Sequence, residues 1–505
     1  MDMNKNNKRW WILAALCCAL FTVALDMTIL NVALPTLATA LNATTSELQW
    51  FANAFNLTLA ILLLPAGLLG DRFGRKKLLI IALVIFGIGS IGCAYSTSPE
   101  MLISMRVVLG LGSAFLMPLS MSIVPVLFEG KERTRAMMLW GTVNMIGIPL
   151  GPIVGGLLLK HFEWGSVFLI NVPFVIVGLF SIAFLMPESR SADAPKIDYL
   201  GILTSGIGLG AITYAFIKAG ETSLTHSSVV TTFLIGLVIL IGFIVWQHQT
   251  KHPLIQLSLF RSSSFTWGTI LSTVVNFAMF GLLFSLPLFF QAIQGSDTLG
   301  TGLRLLPLVG GLIVGAQVAD SIAEKLGRKY LVALGFLVMA IGISVGSLTG
   351  LESSYLFVAF WIAITGIGLG LSLPTSMDAA LGALSAERSG VGSALIMALR
   401  QVGGTIGIAI LGTIINNIYM KNLDLPSFSA DVVEKVEHGV SVGVAVANQM
   451  QSDSLLHAVR NAFITGMGSM LLVCAGIACV GVILSLIFLP RKDSERSQVK
   501  EGTLL

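Results

Sequence analysis

Asp26 is the single carboxylate in a long apolar run that begins at Trp10 and includes "TVALDMTILNVALP" at 22–35. Arg106 interrupts a second such run, at "RVVLGLGSA" (106–114). Placing an ionised side chain at the centre of a bilayer costs ~3 kcal/mol on insertion scales, so each must face a cavity or a partner. At ~1.5 Å per helical residue, Asp26 lies ~22 Å from the inner end of its helix and Arg106 ~8 Å from the outer end of its own. In a ~30 Å hydrocarbon core these depths coincide. Other chemistry is missing. There is no G-x-x-x-x-G-K-[ST] phosphate loop, no His/Glu metal motif and no nucleophile elbow, which excludes an ATP-driven pump and gives no support to an enzyme. Cys17, Cys18, Cys93, Cys474 and Cys479 all fall in apolar runs, lack metal-ligand spacing and read as small buried hydrophobes. No metal, cofactor or nucleic acid is expected.

The elements that position Asp26 and Arg106 follow from composition. Of 505 residues, 55% are hydrophobic and 11% charged, against about 25% charged in soluble domains. Apolar runs long enough to cross a bilayer recur throughout, and no alternating strand pattern suggests a barrel. The runs predict an all-α integral membrane protein with 14 transmembrane helices near 11–34, 47–69, 78–96, 101–124, 137–159, 165–186, 199–217, 227–247, 265–290, 303–323, 330–349, 355–377, 391–416 and 462–489. Lys5, Lys8, Arg9, Arg72, Arg75, Lys76, Lys77, Lys131, Arg133, Arg135, Lys325, Arg328, Lys329 and Arg491 all fall on one side of such a chain, while loops near 36–46, 97–100 and 350–354 carry no Lys or Arg. By the positive-inside rule both termini are cytoplasmic. A cleaved signal peptide fits poorly, because the first apolar stretch is too long and contains Asp26.

"DRFGRKK" (71–77) recurs as "EKLGRKY" (324–330), and "ALP" (33–35) as "SLP" (285–287). The chain therefore reads as a cytoplasmic N-terminus (1–10), a six-helix half (11–187), a linker carrying inserted helices 7 and 8 (188–264), and a second six-helix half (265–490) with an outer loop at 417–461. A cytoplasmic tail (491–505) follows. Parallel repeats of this kind hold substrate between their halves near the midplane. The outer loop reads as a solvated cap with short amphipathic helices, substrate gating being the other reading.

"GLLGDRFGRKK" (67–77) places Gly67, Asp71, Arg72, Gly74 and Arg75 as a cytoplasmic gating motif, in which Asp71 can accept from a helix N-terminus or pair with an arginine. "GTVNMIGIPLGPIVGG" (141–156) repeats Gly147, Gly151 and Gly155 as a bare stripe, with Pro149 and Pro152 favouring a bend. These motifs, together with "RVVLGLGSA", "LDMTILNVALP" (25–35) and "FLINVPF" (168–174), resemble the major facilitator superfamily, in its 14-span drug:proton antiporter branch. The resemblance covers essentially the whole chain. It implies the major facilitator fold and identifies Gly147, Gly151, Pro152 and Gly155 as an antiporter motif. Helices 1 and 4 line the cavity of that fold, so Asp26 and Arg106 can interact there. The arginine favours the ionised carboxylate and desolvation the neutral one, which suits proton coupling; a fixed structural ion pair is the alternative. The second half carries Ala278 and Ala359 at the matching positions, so the pair belongs to the first half alone.

The resemblance further implies a proton-coupled antiporter exporting amphipathic or cationic drugs, active as a monomer in a bacterial-type cytoplasmic membrane and conferring antibiotic resistance. An exporter of one metabolite or lipid, and a non-transporting scaffold or sensor, are the alternatives. Substrate-binding candidates are Asn31, Trp50, Asn53, Phe55, Asn144, Phe277, Phe280 and Gln291, with Asn56 and Asn276 as further polar groups; the aromatics suit cationic substrates. Asp320 and Glu324 depart from the first-half motif, Asp320 reading as a partner for a cytoplasmic arginine. Asp378 is expected at the cytoplasmic end of helix 12, and Arg400 inside helix 13. Few deep carboxylates remain, which favours monocations, zwitterions or neutral amphiphiles over dications.

Overall fold

The computed structural model describes residues 3–490, apart from 129, 191–196, 223–224, 383, 385–388 and 426–427. The tail at 491–505 and the side chains of Asp71, Asn144, Pro149 and Glu324 lie outside the described residues. All regular structure among the described residues is helical. The first half contains α1 (Met3–Ala40), α2 (Thr45–Phe73), α3 (Arg75–Ala94), α4 (Pro99–Leu127), α5 (Gly130–His161), α6 (Ser166–Leu169) and α7 (Asn171–Leu185). The inserted pair is α8 (Tyr199–Glu221) and α9 (Ser227–Gln249). Then come α10 (Ser263–Leu288), α11 (Thr298–Arg304), α12 (Leu306–Leu326), α13 (Arg328–Gly346), α14 (Tyr355–Leu381), α15 (Ser389–Asn422), α16 (Ala430–Glu437), α17 (Val440–Gln449) and α18 (Asp453–Phe488). Thirteen described segments are long and apolar enough to cross a membrane. The 32-residue α5 completes the expected fourteen.

Helix ends differ from the apolar runs for physical reasons. α1 and α18 extend beyond their runs, because hydropathy marks only the lipid-facing length. α10 gives way at Phe289–Ile293 to a wider π turn, just after Pro287 removes a backbone donor. α2 begins with a capping box: Thr44 Oγ1 accepts from the Glu47 amide, and Glu47 Oε2 accepts from the Thr44 amide at 2.7 Å. The loop at 417–461 contains two short helices, α16 and α17, as expected.

Two compact units divide the chain. One comprises Met1–Leu254, Pro287–Leu303 and Ser429–Gln451. Within it α1 packs on α5 and α7, α2 on α4, and α3 on α4 and α7. Helices α16 and α17 belong here, and the Thr45 amide donates to the His438 carbonyl at 2.8 Å. The inserted pair packs on itself and, through α8, on α2. One end of it closes on Asp198, a buried carboxylate that accepts from the Gly201 amide at 2.8 Å, Trp246 Nε1 at 2.9 Å and Gln247 Nε2 at 2.6 Å. The other unit comprises Ile255–Leu286, Arg304–Phe428 and Ser452–Leu505, and packs α12 and α13 on α14, and α13 and α15 on α18.

Candidate functional site

Asp26 and Arg106 meet in the first unit. Arg106 Nη1 donates to Asp26 Oδ2 at 2.5 Å, and both side chains are shut off from solvent, at 0% and 1% exposure. Two further contacts fix the guanidinium. Its Nε donates to the Phe51 carbonyl at 2.9 Å, and its carbon stands over the Phe55 ring at 4.6 Å. The bidentate fork of arginine serves both α1 and α2 at once. Asn171, wholly buried on α7, adjoins the carboxylate and donates to Ser90 Oγ at 3.0 Å; Ser90 in turn donates to the Phe168 carbonyl at 2.7 Å. Four helices, α1, α2, α4 and α7, thus converge on one charge pair.

The glycine stripe of α5 lies directly against the helix that carries Asp26. A Cβ at Gly147 would stand 2.5 Å from the Ala24 Cβ, one at Gly151 would overlap the Thr28 hydroxyl, and one at Gly155 would stand 2.7 Å from Ile29. Ala24 and Thr28 flank Asp26 on α1, so the stripe holds the carboxylate-bearing turn in place. Pro152 is buried, and its carbonyl lies against Gly302. The second unit repeats this packing, with Gly403 against Thr273 and Gly407 against Phe277. Ala278, the position expected opposite Asp26, is apolar and buried on α10.

Around the 67–77 motif, Gly67 lies 3.9 Å from Pro118 by its would-be Cβ, and Arg72 is exposed over the Phe73 ring. Gly74 turns the chain at φ +106°, a conformation that a side chain would resist. Arg75 donates to Ser189 Oγ at 3.1 Å. The carboxylate over the N-terminus of α3 is Glu188, which accepts from the amides of Lys76 at 3.1 Å and Lys77 at 3.2 Å. That is the helix-terminus role the sequence suggested for Asp71. In the second unit Arg328 pairs with Asp378 at 2.7 Å, while Asp320 is exposed.

The binding candidates divide. Asn53 is fully buried, and neither amide atom has a hydrogen-bond partner among the described residues. Gln49 Oε1 and Asn56 Oδ1, one turn away on either side, are equally unpartnered. Buried polar atoms are almost always paired, so this stripe on α2 is built to meet water or a ligand. Other candidates are taken up inside the protein. Phe55 lies under Arg106, Trp50 packs on Tyr214 with ring centres 6.4 Å apart, and Asn31 donates to the Met27 carbonyl. Gln291 donates to the Val32 carbonyl at 2.9 Å; Phe277 and Phe280 pack beside Gly407 and Gly404. Sequence reasoning missed Gln49, Ser90, Asn171 and Glu188. Only Gln49 carried a local signal, its helical spacing from Asn53 and Asn56.

Fourteen long helices, a buried ion pair and a glycine-packed helix beside it define a polytopic membrane transporter. Residues 16–408 match the Major Facilitator Superfamily, and the chain belongs to that family. It is similar to the multidrug efflux pump LfrA of Mycolicibacterium smegmatis, at 30% identity over 94% of this chain and 96% of that one. It is also similar to the tetracenomycin C resistance and export protein of Streptomyces glaucescens, at 28% identity over 97% and 93% of the two chains. In fold it resembles the inward-facing, unoccupied crystal structure of a bacterial homolog to the human lysosomal transporter Spinster. That likeness has a TM-score of 0.68 at 16% identity, covering 95% of this chain and 98% of that one.

Proposed function

We propose that this chain is a proton-coupled antiporter that exports amphipathic small molecules, drugs among them, across a bacterial cytoplasmic membrane. Both termini face the cytoplasm, and a monomer suffices. The observation that carries the reading is the sealed Asp26–Arg106 pair on the helix against which the antiporter glycines pack. The resistance and efflux roles in the names of the relatives support it.

The geometry suggests how coupling would run. When Asp26 is ionised, Arg106 ties α4 to α1 and α2. Protonation of Asp26 removes the opposite charge, and Arg106 keeps only the Phe51 carbonyl and the Phe55 ring. α1 is then released from α4. Because Ala24 and Thr28 rest on Gly147 and Gly151, a shift of α1 is transmitted to α5 without intervening side chains. Gln49, Asn53 and Asn56 offer amides to the polar part of a substrate.

The test is uptake of a fluorescent cationic dye into everted vesicles under an imposed pH gradient. Asp26→Asn keeps size and removes the titratable group, so gradient-driven uptake should vanish while membrane abundance holds. Wild-type uptake by Asp26→Asn would defeat the proton-coupling assignment.

A further inference from the structure

The second unit holds another deep arginine, with no carboxylate in contact among the described residues. Arg400 lies in α15, about 17 Å along the helix from Ser389 at ~1.5 Å per residue. Its Nη2 reaches Asn276 Oδ1 at 3.3 Å and its Nη1 the Met377 sulfur at 3.2 Å, while Nε has no partner. Asn276 answers by donating to the Arg400 carbonyl at 2.7 Å. An amide oxygen and a thioether are weak matches for a guanidinium, which pairs best with a planar anion through two parallel hydrogen bonds.

The neighbourhood repeats the pattern. Gln401 and Thr405 are 8% and 1% exposed, yet Gln401 Nε2 and Thr405 Oγ1 are unpartnered. They lie one helical turn apart on α15, on a face roughly 100–140° around the helix from Arg400. Among the described residues, the buried carboxylates are Asp26 and Asp198, and both belong to the first unit. Arg106 pairs with Asp26 through one carboxylate oxygen, and three donors hold Asp198. The second unit therefore carries a deep positive charge with weak partners, and no described buried carboxylate to oppose it. Arg400 is only partly buried, so an approach to it remains.

We propose that Arg400 is the receiving site for a carboxylate on the exported molecule, so that the preferred substrates are zwitterionic amphiphiles. This rests on the exporter reading and gives it a substrate class. The carboxylate supplies the charge that Arg400 lacks, and the apolar body of the molecule tolerates the membrane interior.

The test compares a rhodamine free acid, a zwitterion, with its methyl ester, a monocation, in everted vesicles under a pH gradient. Wild type should take up the acid with the lower KM. Arg400→Gln should raise the KM for the acid about tenfold or more, as expected for loss of a charge-assisted contact, and leave the ester unchanged. Arg400→Lys should fall between. Because Arg400→Gln could also disturb folding, Arg400→Lys serves as the second probe: it keeps the charge and should retain part of the preference for the acid. Equal loss of acid and ester in both variants, with normal abundance, would make the cluster structural and overturn the site. Wild-type transport of the ester alone would also overturn it while leaving the exporter intact. Transport of neither dye would defeat the exporter reading and the site with it.

Discussion

Replacing Asp26 by Asn leaves the Arg106 guanidinium buried without an opposite charge. Breaking a buried pair from one side costs ~3–5 kcal/mol. Here the Phe51 carbonyl and the Phe55 ring still hold the arginine, which argues for ~3 kcal/mol, about a hundredfold in the unfolding equilibrium. Arg106→Gln is the harsher change, since the carboxylate keeps only Asn171 nearby; ~4–5 kcal/mol is expected. The double variant Asp26→Asn with Arg106→Gln puts two neutral amides in the same space. Its loss should be at least ~2 kcal/mol smaller than the sum of the two single losses. The assay is equilibrium unfolding in mixed micelles, followed by tryptophan fluorescence. Strict additivity across the cycle would refute the coupling, and with it the idea that proton uptake at Asp26 releases Arg106.

Two more expectations follow from the packing. Gly151→Leu should insert normally and lose export, because its side chain would overlap Thr28 and push α1 from α5; full export by this variant would show that the stripe is mere packing. Asn53→Leu fills a similar volume without an unpartnered amide, so the protein should be as stable or up to ~1–2 kcal/mol more so. Dye uptake should need a higher concentration, and an unchanged KM would remove Asn53 from the substrate path.

The ion pair was readable in the chain because each member is the lone charge in an apolar run, so counting residues from the helix ends sufficed to match their depths. The glycine stripe was equally plain, but its partner was not. That it lies against Ala24 and Thr28 is a tertiary fact with no local trace. Trp50 and Phe55 show the opposite error. An aromatic ring looks the same in the sequence whether it meets a drug, Tyr214 or Arg106. Glu188 escaped because it lies more than a hundred residues from the amides it accepts, and nothing near "PESR" marks it as a cap. Helix limits shifted because hydropathy reports contact with lipid, whereas hydrogen bonding carries α1 on into water.

Asp198 has a consequence for how the protein is made. Its carboxylate starts α8, while two of its three donors, Trp246 and Gln247, sit at the far end of α9. As the chain emerges, the acid enters the membrane interface with only the Gly201 amide to hold it. It is satisfied when the last turn of α9 arrives, some fifty residues later. The clasp thus closes a complete helical hairpin, and closes it only once both strokes across the bilayer are finished. The inserted pair thus carries its own clasp, while α8 also packs on α2.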